Sequence, residues 1–167
     1  MTALFSTFET NLGPFIVAVD PAGGLVATAF GGLEDLMRQR RDIGDFQPDD
    51  RATEDARRQI ADYLSGTRAD FKLPTSAGGT AFQQRVWQAL VEIPRGATRS
   101  YGDLARELHS SPRAVGRAVG TNPLCLVVPC HRVIGADGSL TGFAFGVAIK
   151  QRLLELEGWS LTSSSAP

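Results

Sequence analysis

The stretch Ser111-Pro112-Arg113-Ala114-Val115-Gly116-Arg117-Ala118-Val119-Gly120-Thr121-Asn122-Pro123-Leu124-Cys125-Leu126-Val127-Val128-Pro129-Cys130-His131-Arg132-Val133 is the most informative part of this 167-residue chain. Ser111 followed by Pro112 is an N-cap and first-position pair, and it predicts a helix reaching about Gly120. That helix has little bulk at Ala114, Gly116, Ala118 and Gly120. Glycine costs a helix about 1 kcal/mol per residue relative to alanine, so close approach of another backbone, or of nucleic acid, is a plausible compensation. After Asn122-Pro123 an apolar run ends at Pro129 and delivers Cys130 with His131 beside it. An ordinary thiol is only about 3% ionised at pH 7, and a neighbouring base raises that fraction. Adjacent side chains on an extended backbone point apart, so the two groups could meet directly or through a bridging water. Glu157, near the end of the last helix, could orient the imidazole. A buried packing cysteine with an incidental histidine explains the pair equally well.

Upstream, Thr80 with Gln83 matches a capping box, and Phe82, Val86, Trp87 and Leu90 recur at helical spacing. Pro94-Arg95-Gly96 breaks that helix, and Ser100 caps another over Tyr101 to Leu108. His109-Ser110-Ser111 then joins it to the small-residue helix, a pattern that predicts a helix-turn-helix with Arg113 and Arg117 on one face. An ordinary helical hairpin gives the same pattern. Nearer the N-terminus, Leu4 to Glu9, Pro14 to Asp20 and Leu25 to Phe30 predict a small antiparallel sheet. A helix over Leu33 to Arg41 follows, then a second one capped by Asp49 or Asp50, with Ala56, Ile60, Tyr63 and Leu64 as its apolar stripe. The expected organisation is an α/β domain over 1–73, a linker over 74–79, a mostly helical domain over 80–158 and a disordered tail over 159–167.

Composition narrows the classes. Hydrophobic residues make up 43% and charged residues 21%, which fits an ordinary globular protein rather than a disordered or fibrous one. No apolar run is long enough to cross a bilayer, and the N-terminus lacks the basic and apolar regions of a signal peptide, so a cytoplasmic location is expected. Two cysteines are too few for a disulfide scaffold, and no further Cys or His pair completes a zinc site. The net charge of −1 hides an asymmetry: residues 1–79 sum to −4 and residues 80–167 to +3. The basic residues of 85–120 are all arginine, and such an excess could face phosphates.

Pro129-Cys130-His131-Arg132-Val133-Ile134-Gly135, preceded by Asn122-Pro123 and by Arg113-Ala114-Val115-Gly116, resembles the O6-alkylguanine-DNA alkyltransferases. Leu140-Thr141-Gly142-Phe143 and Leu153-Leu154-Glu155-Leu156-Glu157-Gly158 extend the likeness, which covers about Thr80 through Gly158 and runs more weakly into the N-terminal half. The resemblance implies repair of duplex DNA by irreversible transfer of an alkyl group from O6-alkylguanine, and from O4-alkylthymine, to Cys130. It implies that His131 acts through a water as the base, that Glu157 holds its tautomer, and that Asn122 joins the recognition helix to the active-site segment. On the DNA side it implies that Arg113 fills the gap left by a flipped nucleotide and that Tyr101 crowds the 3′ phosphate. Ser100, Ala114, Gly116 and Arg117 belong to the same DNA-facing surface. For the base pocket it implies carbonyls of Cys130 and Val133 as acceptors, the Ala144 amide as donor, and Val119 and Phe143 as walls. No cofactor, no metal and no membrane is implied, and the protein is expected to be a monomer in solution, with cooperativity on DNA left open.

Three positions depart from the family pattern. Phe145 stands where glycine is usual and could narrow the pocket against large adducts or point outward. Phe143 replaces a frequent tyrosine, and Cys125 occupies a position more often Ala or Pro. Competing readings are a non-catalytic sensor of alkylated DNA, against which Cys130 argues, a cysteine-based helix-turn-helix regulator, and an unrelated Cys-His hydrolase.

Overall fold

The computed structural model describes residues 1–159. The chain separates into two compact units, one comprising Met1–Gly78 with Pro123–Val127, the other Gly79–Asn122 with the chain from Val128 onward. The excursion of Pro123–Val127 into the first unit differs from the single continuous segment expected for the second.

In the first unit, β1 (Thr2–Thr10), β2 (Gly13–Val19) and β3 (Leu25–Phe30) form an antiparallel meander. After α1 (Leu33–Gln39), β4 (Asp45–Pro48) pairs parallel to β1, giving the order β3-β2-β1-β4. The sheet is therefore mixed, not antiparallel as expected, because α1 carries the chain back to the free edge of β1 in the same direction. The β4 sequence, Asp-Phe-Gln-Pro, is short and polar and ends in proline, which suits an edge strand and hides it from a search for apolar alternation.

Every residue of β3 is buried although it ends the sheet. Its outer edge is covered twice: the amide of Leu25 donates to the Pro74 carbonyl at 2.8 Å, and that of Thr28 donates to the Pro123 carbonyl at 2.9 Å. Part of the expected linker thus serves as edge protection. Helix α2 (Glu54–Leu64) packs Ala56, Ile60, Tyr63 and Leu64 inward as the stripe predicts. Its N-cap is Thr53 rather than Asp49 or Asp50. The Asp49 carboxylate instead accepts from the amides of Arg51 and Ala52, closing the turn before the helix.

The second unit holds α3 (Ala81–Val91), β5 (Arg99–Ser100), α4 (Tyr101–Glu107), α5 (Pro112–Gly120), β6 (Val133–Ile134) and α6 (Val147–Leu156). Thr80 and Gln83 form the expected capping box, and Ser100 and Ser111 cap α4 and α5 through the amides of Asp103 and Ala114. The Trp87 indole donates to the Ala118 carbonyl at 2.8 Å, tying α3 to α5. Trp159 falls in the expected disordered tail but is buried against Ile134 and Leu154, so the core extends one residue past Gly158. Residues 160–167 of that expected tail lie outside the described residues.

Candidate active site

Cys130, His131 and Arg132 form a single 3-10 turn at the end of the apolar run, and all three are buried. The Pro129 carbonyl accepts from the amide of Arg132, and Val128 accepts from that of Cys130, so the turn is closed on both sides. Asn122, directly after α5, donates from Nδ2 to the Val128 carbonyl at 2.9 Å. This bond spans the excursion and fixes where the chain re-enters the second unit.

His131 Nε2 lies 2.9 Å from Glu157 Oε2, and both side chains are fully inaccessible. Glu157 is the C-cap of α6. Burial alone would raise its pKa, but the hydrogen bonds from His131 and Arg132, with the Arg132 charge, override it and hold the carboxyl down to about 2. An ionised carboxylate only accepts, so Nε2 carries the imidazole proton and Nδ1 presents the lone pair. Nδ1 is buried and has no hydrogen-bond partner among the described residues. Burial lowers the His131 pKa, and the attraction of Glu157 only partly opposes this, so the ring rests neutral near pH 7.

Arg132 grips the same carboxylate with two hydrogen bonds, Nε to Oε1 at 2.9 Å and Nη2 to Oε2 at 2.8 Å. Its third arm donates from Nη1 to the Ile93 carbonyl at 2.6 Å, just past α3. The loop after α3 also braces the end of α6: Arg95 donates to the Leu156 carbonyl, and Gly96, at φ +88°, sits where a Cβ would come within 3.0 Å of the Glu157 carbonyl.

Lys150 is fully buried on α6 and donates from Nζ to the carbonyls of Val133 at 2.5 Å and Thr141 at 2.9 Å. Burial pulls its pKa down to about 8, against the charge that Cys130 carries as a thiolate. The Tyr101 phenol is raised by burial and then by the same cysteine, so Cys130 lies within electrostatic reach of both. Tyr101 opens α4, and its hydroxyl lies over Gly142, where a Cβ would approach it to 3.0 Å.

Among the other expected residues, Val119 and Val133 are buried, and Phe143 and Phe145 are half-buried and packed edge to face at 5.5 Å and 71°. Ala144 is exposed between them. Arg113 and Arg117 are exposed on α5, with Ala114 and Gly116 half-buried, and the Ser100 hydroxyl is engaged as the α4 cap. Among the described residues no group of three or more His, Cys, Asp or Glu side chains could hold a metal ion.

Sequence reasoning assigns no role to Arg132 or Lys150. A signal for the lysine is present, since Lys150, Leu153, Leu154 and Glu157 fall at i, i+3, i+4 and i+7 on one face of α6, beside two leucines bound for the core.

Residues 81–159 match the DNA-binding domain of 6-O-methylguanine DNA methyltransferase. The methylated-DNA–protein-cysteine methyltransferase of Methanosarcina acetivorans is 39% identical over 157 residues, covering 92% of this chain and 97% of that protein. The chain belongs to the methylated-DNA–protein-cysteine methyltransferase family. A further methyltransferase of this name, from Mycobacterium bovis, is 42% identical over 92% of the chain and 91% of its own length. Among solved structures, Mycobacterium tuberculosis OGT in complex with DNA is similar to this methyltransferase with a TM-score of 0.81 and 38% identity, covering 92% of each chain.

Proposed function

We propose that the protein repairs alkylated DNA by direct reversal, with Cys130 accepting the alkyl group from O6-alkylguanine, and from O4-alkylthymine, once per molecule. The observation that carries this reading is the buried line Cys130, His131, Glu157, in which Glu157 fixes the proton on Nε2 and leaves Nδ1 as the base. The thiol proton passes to Nδ1 through a bridging water. The sulfur then attacks the alkyl carbon, the carbon–O6 bond breaks with its electron pair on the guanine, and the proton taken up by His131 passes on to the guanine, leaving both neutral. The thioether has no easy hydrolytic exit, so no turnover follows.

The alkyl group inside a duplex is out of reach of a buried thiol, so the nucleotide leaves the stack. We assign α4 and α5 to a helix-turn-helix, with α5 facing the minor groove. Two features support this assignment. A Cβ at Gly120 would meet nothing, and one at Gly116 would meet only Tyr101 at an ordinary 3.9 Å, so the protein's own packing does not call for glycine there. Arg113 and Arg117 project from the same helix without burial. In this reading Arg113 fills the vacated stack, Tyr101 crowds the 3′ phosphate, and Ser100, Ala114, Gly116 and Arg117 line the approach. Asn122 fixes the turn, while Val119, Val133, Phe143, Ala144 and Phe145 surround the base. The protein acts as a cytoplasmic monomer, and no helix among the described residues is long and apolar enough to cross a membrane.

Incubation with excess duplex carrying O6-methylguanine, read by intact mass, tests the chemistry. One gain of about 14 Da per molecule, lost in Cys130→Ala but not in Cys125→Ala, is expected for a single thiol acceptor. Continued turnover, or modification at Cys125, overturns the assignment.

A further inference from the structure

Arg132 occupies a position that the reaction as described does not use. It is buried, its guanidinium takes both oxygens of Glu157, and its remaining arm is fastened to the Ile93 carbonyl. Glu157 Oε2 therefore receives two donors, Arg132 Nη2 at 2.8 Å and His131 Nε2 at 2.9 Å.

The second donor sets the net charge of this buried cluster. A carboxylate and an imidazole alone, sealed from water, reach neutrality by placing a proton on the imidazole. That imidazolium has no lone pair to offer. With the guanidinium already paired to the carboxylate, the cluster is neutral when the imidazole is neutral, and a proton on His131 would bury an uncompensated positive charge. The charged groups that bear on the ring are Glu157, Arg132 and Lys150, and both cations oppose its protonation. Lys150 acts from α6 while bonded to the Val133 and Thr141 carbonyls, so Arg132 is the cation that shares the carboxylate.

We propose that Arg132 is a positioning residue that, by neutralising Glu157, keeps His131 in the uncharged Nε2-protonated form able to take the proton of Cys130. The consequence is chemical as well as structural: the imidazolium forms only as the thiolate forms, so the positive charge appears when a negative partner is there to meet it. The inference rests on the alkyl-acceptor reading of Cys130, and it specifies how that site is held ready.

The test combines two readouts. The rate of alkyl transfer to Cys130 is followed by intact mass against pH for the wild type, Arg132→Met and Arg132→Lys. The protonation of His131 is followed by NMR of labelled imidazole, which is tractable because the chain has only two histidines and His109→Gln assigns the other. Loss of the guanidinium in Arg132→Met is expected to move the acid limb of the rate upward by on the order of 1 to 3 pH units, as for removal of a close charge. The His131 midpoint should move with it, and Arg132→Lys should restore most of the wild-type profile. A rate lowered equally at all pH values, with the limb unmoved, overturns the proposal and leaves Arg132 as a brace. Should Arg132→Met fail to fold, the wild type still decides: His131 found as imidazolium at pH 7 defeats the idea, and His131 neutral there supports it. The imidazole signal needs no alkyl transfer, so failure of the acceptor chemistry itself would show separately, as an unchanged protein mass.

Discussion

The Glu157 carboxylate serves both as the acceptor of His131 and as the partner of Arg132, while the backbone of the same residue forms the C-cap of α6. Its folded pKa of about 2 lies below its ordinary 4.5, so between those values the unfolded chain binds more protons than the folded one. The stability it contributes is therefore complete above about pH 4.5 and is lost as pH falls toward 2. Its size is a few kcal/mol, because each tenfold change in proton affinity is worth about 1.4 kcal/mol. Acid unfolding followed by circular dichroism should show Glu157→Gln starting less stable at pH 7, because Arg132 loses the carboxylate that balances its buried charge. The gap to the wild type should narrow below pH 4. A gap independent of pH would mean that Glu157 acts through packing rather than through its charge. This role is only half legible in the sequence. The position of Glu157 late in a helix marks it as a candidate orienter, whereas the arginine that competes for it is fixed by a turn no local pattern specifies.

The junction between α4 and α5 is decided by backbone conformation. His109 takes φ +53°, Ser110 donates to the Ala105 carbonyl at 2.8 Å and His109 donates to that of Arg106 at 3.3 Å, which together close α4 in a Schellman arrangement. The left-handed conformation costs a residue with a side chain about 1–2 kcal/mol, and glycine adopts it freely. His109 is exposed, so replacing it removes little packing. His109→Gly is accordingly expected to raise stability by about 1 kcal/mol in urea unfolding, without changing the alkyl-transfer rate. Destabilisation would mean that the imidazole makes a contribution of its own. The helices themselves are readable because Thr80, Ser100 and Ser111 cap them as their residue types dictate. The turn is readable only as a gap, since histidine is not the residue that announces positive φ. In the first unit, β4 is hidden for a comparable reason: its pairing is with β1, more than thirty residues earlier, and its own four residues carry no alternation.

Over the whole molecule, charge and connectivity separate what binds from what supports. The half that carries the proposed DNA surface has a net charge of +3, against −4 for the first, so attraction to a phosphate backbone should be modest and sensitive to salt. Arg117 is exposed on α5. Removing one phosphate contact lowers the salt slope of binding by about 1 in log–log terms. Arg117→Ala should therefore flatten the salt dependence of duplex binding, measured by fluorescence anisotropy, while leaving transfer from free O6-alkylguanine intact. An unchanged slope would remove Arg117 from the interface.

The sequence by itself determined the capped helices and the cysteine with its adjacent histidine, because caps, periodicity and short motifs depend on neighbours along the chain. Only the tertiary structure decided the rest. It sends Pro123–Val127 to the outer edge of β3, where a sheet must satisfy its hydrogen-bonding groups. It buries Lys150 against two carbonyls and places Arg132 on Glu157 across twenty-five residues. Such pairings are set by the need to neutralise buried charge and to satisfy buried polar groups, which depends on what the fold brings together in space.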